Sequence, residues 1–279
     1  MAEQHPTPPQ AQADDSQFVA EFTTVRSVFV RGRNCLLLQA DFAPLYVDYY
    51  LHLMQHAMRP GETEDSLFKH LLAFFTLHLV SRPWQEHHAW TFNVKSPTLA
   101  NYFVAGSSLT EDVVGRIFTE DVREPESNIL YAQVIAKNKE AQTSVIPLGG
   151  SEPAAWVEEF YDRSEQRAAR AFWLGGDEYA LLVAEPDADL AWLRELNAEQ
   201  VRHLADTEEL KQLETRRFTF RCGCTVQRLL PALRALQRDF ADILAEQGYL
   251  EASCPRCGVQ YRITPEMLLG DAAAPDACS

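Results

Sequence analysis

The sequence predicts an α+β fold, with a core domain of strands and helices at the N-terminus and a small cysteine-rich domain at the C-terminus. Segments rich in β-branched and aromatic residues, typical of strands, are concentrated at 18–40 and 90–148. Between them, two segments with helical periodicity run over about 41–58 and 63–80. Four of the six cysteines lie in two short clusters near the C-terminus. Strands and helices that occur in separate groups are typical of the α+β class.

Length and composition argue against several classes of protein. With 279 residues, 46% of them apolar, the chain can bury one sizeable core and still form a second small domain. Its opening residues lack the apolar stretch of a secretory signal, and the longest apolar run, 71–80, is too short to span a membrane. Forty acidic residues against 25 basic ones give a net charge of −15, which disfavours nucleic acid as a partner. We therefore expect a cytoplasmic protein that binds neither nucleic acid nor membranes.

Residues 17–185 are expected to form the core domain, after a disordered tail at 1–16 that is rich in proline and polar residues. Segment 151–170 begins with a candidate capping serine, Ser151, followed by a proline near the first turn of an amphipathic helix. The apolar segment "YALLVAEP" at 179–186 predicts one more buried strand.

A charged segment at 186–217 is expected to form a linker with a helix from about Ala198 to Arg216. Its apolar residues are sparse and make only a narrow face. Because most helical stability in proteins comes from packing an apolar face, this helix should be marginal unless it docks on another part of the protein.

The small domain is expected at 218–270, followed by a disordered tail at 271–279. A helix over 228–248 has Gly248 where a C-terminal cap belongs. The segment "YLEASCPRCGVQYRI" reads as a hairpin with a cysteine pair at its tip, and Thr264 begins a short last helix.

The four clustered cysteines, Cys222, Cys224, Cys254 and Cys257, favour a zinc site. Zn²⁺ takes four ligands in a tetrahedron, and thiolates are common ligands in structural sites. The "CPRCG" segment is typical of a zinc-binding turn, and the chain between the pairs is long enough to return. A domain of about fifty residues has little core of its own, so metal binding would supply much of its folding free energy.

Two other uses of these cysteines remain open from the residues alone. Cys254-Pro-Arg-Cys257 has the spacing of a thioredoxin-type dithiol, but that motif belongs at an early strand-to-helix junction. Disulfides are the other alternative. A disulfide between Cys222 and Cys224 would close a small, strained ring that is easily reduced, which suits a reversible state better than a permanent link.

The histidines considered as metal ligands are more typical of structural positions. His52 and His56 have the i,i+4 spacing of metal ligands, but a leucine stands where a zinc protease needs glutamate, so we interpret them as helix surface. His87 and His88 are interpreted as loop residues at a strand start.

Further candidates lie at element ends and outside the clusters. Asp187 and Asp189 are expected to cap the turn into the linker, and the segment 164–166 ("SEQ") to end a helix. Cys35 lies in an apolar run typical of a core thiol, whereas Cys278 is a spare cysteine near the end of the chain. The sequence contains no Gly-rich phosphate loop and no convincing Ser/His/Asp arrangement, so we do not expect an enzyme.

The segments "FRCGCTVQRLLPAL" and "ILAEQGYLEASCPRCGVQYRITPEML" contain a C-x-C, a helix and a C-x-x-C in this order. With these features the C-terminal segment resembles the zinc domain of the heat shock protein 33 family, the redox-switched holdase chaperones. Upstream, the resemblance extends to "FVRGRNCLLL" and to "SVIPLGGSEPAAWVEEFYDRSEQR".

The resemblance implies a specific cycle. In the reduced state the four cysteines would bind zinc and the chaperone would be inactive. On oxidation Cys222 would pair with Cys224 and Cys254 with Cys257, zinc would leave, and the small domain and linker would unfold. The protein would then hold unfolding client proteins without ATP, often as a homodimer. The alternative is a constitutive zinc-ribbon adaptor that binds a partner and never undergoes a redox cycle.

Overall fold

A ten-stranded mixed sheet organises the chain, for which a computed structural model describes residues 22–83, 85–137, 139–236 and 240–269. The tails predicted at 1–16 and 271–279 lie outside the described residues, as does Cys278. In chain order the strands of this sheet are β1 Thr23–Val30, β2 Cys35–Asp41, β3 Glu86–Val94, β4 Ala100–Ser107, β5 Asp112–Phe118, β6 Asn128–Ala136, β7 Gln142–Leu148, β8 Ala169–Gly175, β9 Glu178–Ala184 and β10 Leu210–Phe220. A separate hairpin is formed by β11 Leu250–Ser253 and β12 Gln260–Ile263.

The helices flank the sheet or belong to the C-terminal segment. They are α1 Ala43–Gln55, α2 Glu62–Val80, α3 Pro153–Phe160, α4 Leu190–Glu195, α5 Ala198–Arg202, α6 Leu204–Thr207, α7 Val226–Ala235, α8 Ala241–Gln247 and α9 Pro265–Leu269. The predicted α+β class, the first two strands, the two early helices and the strands over 90–148 are confirmed. Among the described residues, no helix is both long and apolar enough to cross a membrane.

Helix α2 is the centre of the core. From Leu67 to Val80 most of its side chains are buried, because it packs against strands of both halves of the sheet. Its contact with β5 is close at Gly115, where an added Cβ would lie 2.7 Å from the Phe68 ring and 2.4 Å from the Phe103 carbonyl oxygen. Glycine at this position therefore lets the helix approach the sheet.

Strand β10 lies near the middle of the sheet, in the order β7-β6-β3-β4-β5-β10-β1-β2-β9-β8. It pairs antiparallel with β1 along most of its length, and its last two residues, Thr219 and Phe220, pair parallel with β5. The helix predicted from Ala198 to Arg216 is therefore wrong over its second half. The backbone groups of β10 form hydrogen bonds with the edges of β1 and β5. Its side chains alternate between buried and exposed, as in a strand, with Arg216, Phe218 and Phe220 buried.

The first part of the predicted linker helix is present as the short helices α5 and α6. With α4 they cover the outer face of β2, β9 and β8, opposite α2. Apolar side chains of these helices and of the sheet form a second core between them. The helices contribute Leu193, Leu196, Val201 and Leu204, and the strands contribute Leu37, Phe172, Leu174 and Leu182. The linker helices are thus docked on the sheet, as their narrow apolar faces require.

Two further predicted helices differ from the structure. The helix predicted over 151–170 has Glu152, not Ser151, at its cap position, and after a π-helical turn at Tyr161–Glu165 it stops at Gln166, whose φ is +53°. The residues beyond it pair with β9 as strand β8, which the sequence reading missed. The single helix predicted over 228–248 is two helices, α7 and α8, and the predicted cap Gly248 is confirmed by its left-handed conformation.

Candidate metal centre

Two chain segments bring the four cysteines together. Cys222 and Cys224 follow the end of β10 directly, and Gly223 between them adopts a φ of +62° that turns the chain. Cys254 and Cys257 lie in the turn that joins β11 to β12. The predicted hairpin with a cysteine pair at its tip is therefore confirmed.

The four sulfur atoms form one compact cluster. All four Sγ atoms lie within 4.8 Å of one another, and the separations are 3.7 Å for Cys222–Cys254 and 3.5 Å for Cys224–Cys257. A tetrahedral zinc ion with Zn–S bonds of about 2.3 Å requires sulfurs about 3.8 Å apart, so the donor set and its spacing fit such an ion. Among the described residues, this is the one group of His, Cys, Asp or Glu side chains close enough to hold a metal. The five described cysteines are all free thiols.

The thiols of the cluster differ in how readily they lose their protons. A hydrogen bond from Cys257 lowers the pKa of Cys222 to about 5, and the same shared proton, together with burial, raises the pKa of Cys257. Burial is the main cause that raises the pKa of Cys224. Without a cation, the shared hydrogen bonds and burial therefore keep some of the four thiols protonated. A divalent ion would stabilise all four thiolates and release the remaining protons.

The turn that carries the second pair, Cys254–Gly258 (the cysteine turn), is held by its own backbone. The amide of Gly258 donates to the Cys254 carbonyl at 2.9 Å, and the amide of Cys254 donates to the Val259 carbonyl at 2.8 Å. On the other side of the cluster, the Tyr261 hydroxyl lies 3.0 Å from Cys224 Sγ and donates to the Cys224 carbonyl at 3.2 Å. These bonds orient the cysteines within the cluster.

Two residues that the sequence reading did not connect with the cysteines also contact this turn. His52 was interpreted as helix surface, yet its Nε2 lies 3.1 Å from the Cys257 carbonyl oxygen. Arg116 on β5 donates from Nη1 to the Cys254 carbonyl at 3.2 Å. Both lie more than a hundred residues away along the chain, so no local sequence pattern could have revealed the contacts. His56 stays exposed and packs its ring near that of His52.

The other histidine candidates lie in a strand, not in a loop. His87 and His88 both belong to β3, so the loop interpretation is wrong. His88 is buried between the Glu86 carboxylate, 3.1 Å from Nε2, and the His78 ring, 3.3 Å from Nδ1. Burial lowers the pKa of His88 to about 4. Pairing with β4 and β6 on both sides explains why this segment is extended.

The remaining predicted candidates have structural contacts. Asp189 caps α4 by accepting from the Trp192 amide at 3.0 Å, as expected, and Asp187 precedes it with a φ of +61°. Glu165 pairs with Arg82, which ties the end of the π-helical turn to the bend between α2 and β3.

Ser164 and Cys35 also have structural contacts. Ser164 bonds to the Ser144 hydroxyl at 2.8 Å, so the "SEQ" segment packs on β7. Cys35 is fully buried in β2, and burial raises the pKa of its thiol to about 11, as expected for a core thiol.

The part of the chain that contains the cysteine cluster is similar to known proteins. The family model described as "Hsp33 protein" matches residues 182–264, which include all four cysteines. The 33 kDa chaperonin of Hahella chejuensis is 29% identical over 166 residues, covering 50% of this chain. The 33 kDa chaperonin of Shewanella woodyi is 41% identical over 71 residues, or 25% of each protein. The matched family model thus covers the C-terminal third of the chain, from β9 to the end of the cysteine hairpin.

The fold of the chain is also similar to that of a solved 33 kDa chaperonin. The crystal structure of the 33 kDa chaperonin of Thermotoga maritima matches with a TM-score of 0.69, over 89% of this chain and 97% of that one, at 13% sequence identity. At this identity the likeness concerns the fold. The matched region spans 58% of the length of the Hahella relative and a quarter of the Shewanella one.

Proposed function

We propose that this chain is a member of the Hsp33 family and acts as a redox-regulated holdase chaperone, inactive when reduced and loaded with zinc. The observation that carries the proposal is the cluster of four free thiols whose spacing fits a tetrahedral ion, in a chain whose relatives are named chaperonins. Cys222, Cys224, Cys254 and Cys257 would hold Zn²⁺, which would fix the C-terminal unit beyond β10, residues 222–269, in its folded form. A compartment that keeps thiols reduced, such as the cytoplasm, suits this resting state.

Oxidation would remove the ligands from the metal. For each disulfide, two thiolates lose two electrons to one peroxide molecule, whose O–O bond breaks, and two protons complete two water molecules. We propose the neighbour pairs Cys222–Cys224 and Cys254–Cys257. In the reduced cluster all four sulfurs lie within 4.8 Å of one another, so proximity alone does not choose the pairs, but neighbours along the chain stay close when the unit unfolds.

Loss of the ion would then free the client-binding surface. The C-terminal unit would unfold, the linker helices α4–α6 would loosen, and apolar surface of the core domain would become accessible to unfolding clients without ATP. A homodimer of the oxidised form belongs to the same proposal. The net charge of −15 would help to keep complexes with clients dispersed.

The first expected result concerns the metal. Reduced protein should contain one zinc ion per chain, and Cys222→Ser should lower the content strongly, because the remaining three thiolates leave the tetrahedron incomplete. Elemental analysis measures this directly. Cys35→Ser is the matched control, since Cys35 lies in the separate core cluster and should leave the zinc content unchanged. Reduced wild-type protein with well under one zinc per chain would contradict the assignment.

The second expected result concerns the switch. Peroxide should release zinc to a chromogenic chelator, and only the oxidised protein should suppress light scattering from a heat-aggregating client. Trypsin then distinguishes the disulfides, because Arg256 separates Cys254 from Cys257 whereas Cys222 and Cys224 stay in one peptide, 222–228. Neighbour pairing gives an internally bridged 222–228 peptide and a separate two-chain species. Equal suppression by reduced and oxidised protein would reject the switch in favour of a constitutive zinc-ribbon adaptor.

A further inference from the structure

The cysteine turn is seated directly on the core domain. On one side, His52 of α1 places Nε2 3.1 Å from the carbonyl oxygen of Cys257. On the other side, Arg116 of β5 donates from Nη1 to the Cys254 carbonyl at 3.2 Å and to the Ser253 hydroxyl at 3.4 Å. The two bonds therefore hold the turn at both of its cysteines. Because a carbonyl oxygen only accepts, His52 must carry its proton on Nε2 in this contact.

A close approach at Gly258 independently indicates tight docking. A Cβ at this position would lie 3.0 Å from Met58 Cε and 3.2 Å from Arg116 Nε, and the φ of +82° also favours glycine. Arg116 is itself held in place, since its guanidinium lies 4.5 Å from the centre of the Phe118 ring. The turn thus meets a surface that is already ordered by the core.

Docking determines how exposed the thiols are. Cys254 is 2% exposed and Cys257 1% exposed, whereas Cys222 and Cys224 are half-buried. The two buried cysteines belong to the same apolar cluster as the core residues of the N-terminal domain, not to the small cluster around β11 and β12. The core domain therefore covers these two thiols, and lifting the turn from it would expose them.

We propose that His52 and Arg116 form a latch that couples the cysteine turn to the core domain and limits the access of oxidants to Cys254 and Cys257. The inference concerns the residues that position the turn, and its redox consequence rests on the proposed function. Both latch residues bond to carbonyl oxygens rather than to sulfurs, so they are positioning residues outside the ligand set. Removing them should loosen docking while leaving the four thiolates able to hold a metal.

The test uses the reduced, zinc-loaded full-length chain. The double variant His52→Leu/Arg116→Met removes both donors and keeps apolar bulk, and it should retain one zinc per chain. Amide exchange over the hairpin 250–263 should become roughly tenfold faster or more, since a lost hydrogen bond from a charged donor shifts an opening equilibrium by at least about that factor. The oxidation rate of Cys254 and Cys257, measured by alkylation and mass spectrometry, should rise by a similar factor.

Matched variants separate a latch from a general packing role. His52→Gln/Arg116→Lys keeps a nitrogen donor at each position and should restore most of the protection, whereas Arg26→Met, at an exposed residue of β1, should change nothing. Unchanged exchange in the zinc-loaded double variant would overturn the proposal. So would loss of zinc, or failure of the Gln/Lys pair to restore protection. If peroxide releases no zinc from wild-type protein, the proposed switch fails, while the exchange comparison still decides the latch.

Discussion

Chelation of the metal under reducing conditions should unfold residues 222–269 and leave the main sheet folded, including β10. The C-terminal segment has little to hold it without the ion. Its own apolar cluster centres on three buried side chains, Leu250, Ile263 and Leu268, and its hairpin has strands of only four residues. Structural zinc contributes on the order of 10–16 kcal/mol to such small domains, far more than this cluster can replace.

Strand β10 should behave differently from the segment that follows it. It is paired with β1 through residues 210–218 and with β5 at Thr219 and Phe220, so its backbone bonds do not depend on the metal. Amide hydrogen exchange with and without a chelator measures this. Protection should vanish beyond Cys222 and persist in β10 and in β3–β7; loss of β10 together with the hairpin would show that the sheet itself depends on the metal. The boundary predicted at 217/218 falls within this strand.

The cysteine site could be predicted closely because its signal is local. Two short motifs fix which four side chains offer sulfur, and the hairpin and glycine turns around them follow from local backbone preferences. The two early helices could also be predicted from the sequence, since their apolar periodicity extends over several turns. In these segments the local pattern and the tertiary packing agree.

Strand β10 was not predicted, because its state is set by its neighbours. The charged segment around Lys211 and Arg217 has no strong strand signal, and only the open edges of β1 and β5 make it extended. The same holds for β8, which continues from a helix after one left-handed residue, Gln166. The contacts of His52 and Arg116 with the cysteine turn also depend on residues that are distant in sequence.

This position of β10 also constrains how the proposed switch reaches the linker. The cysteines follow one end of the strand and α4–α6 precede the other, and eleven extended residues span roughly 35 Å. At its first end, the Arg31 amide donates to the Glu209 carbonyl at 2.9 Å, and Arg33 bridges Asp189 and Glu208. Strand β10 is therefore the direct covalent connection between the metal site and the linker helices.

Replacing Leu204 by alanine should detach the α4–α6 cover and give the reduced protein chaperone activity while zinc stays bound. Leu204 is 2% exposed and packs in the second core, so the substitution should destabilise the docked helices by about 2–5 kcal/mol. Short helices of four to six residues have no stability of their own to offset this loss. Undocking would uncover the apolar outer face of β8 and β9, including Phe172 and Leu182.

The measurement compares reduced Leu204→Ala with Leu190→Ala, a matched control on α4 whose side chain is 40% exposed. We expect the first variant to bind an apolar dye and suppress client aggregation without peroxide, and the second to resemble wild-type protein. Both should hold one zinc per chain, because the cysteines lie at the far end of β10. A Leu204→Ala protein that is measurably less stable yet inactive when reduced would exclude the face under α4–α6 as the client surface. The surface beneath the cysteine turn, next to α1 and β5, would then be the remaining candidate, because metal release uncovers it directly.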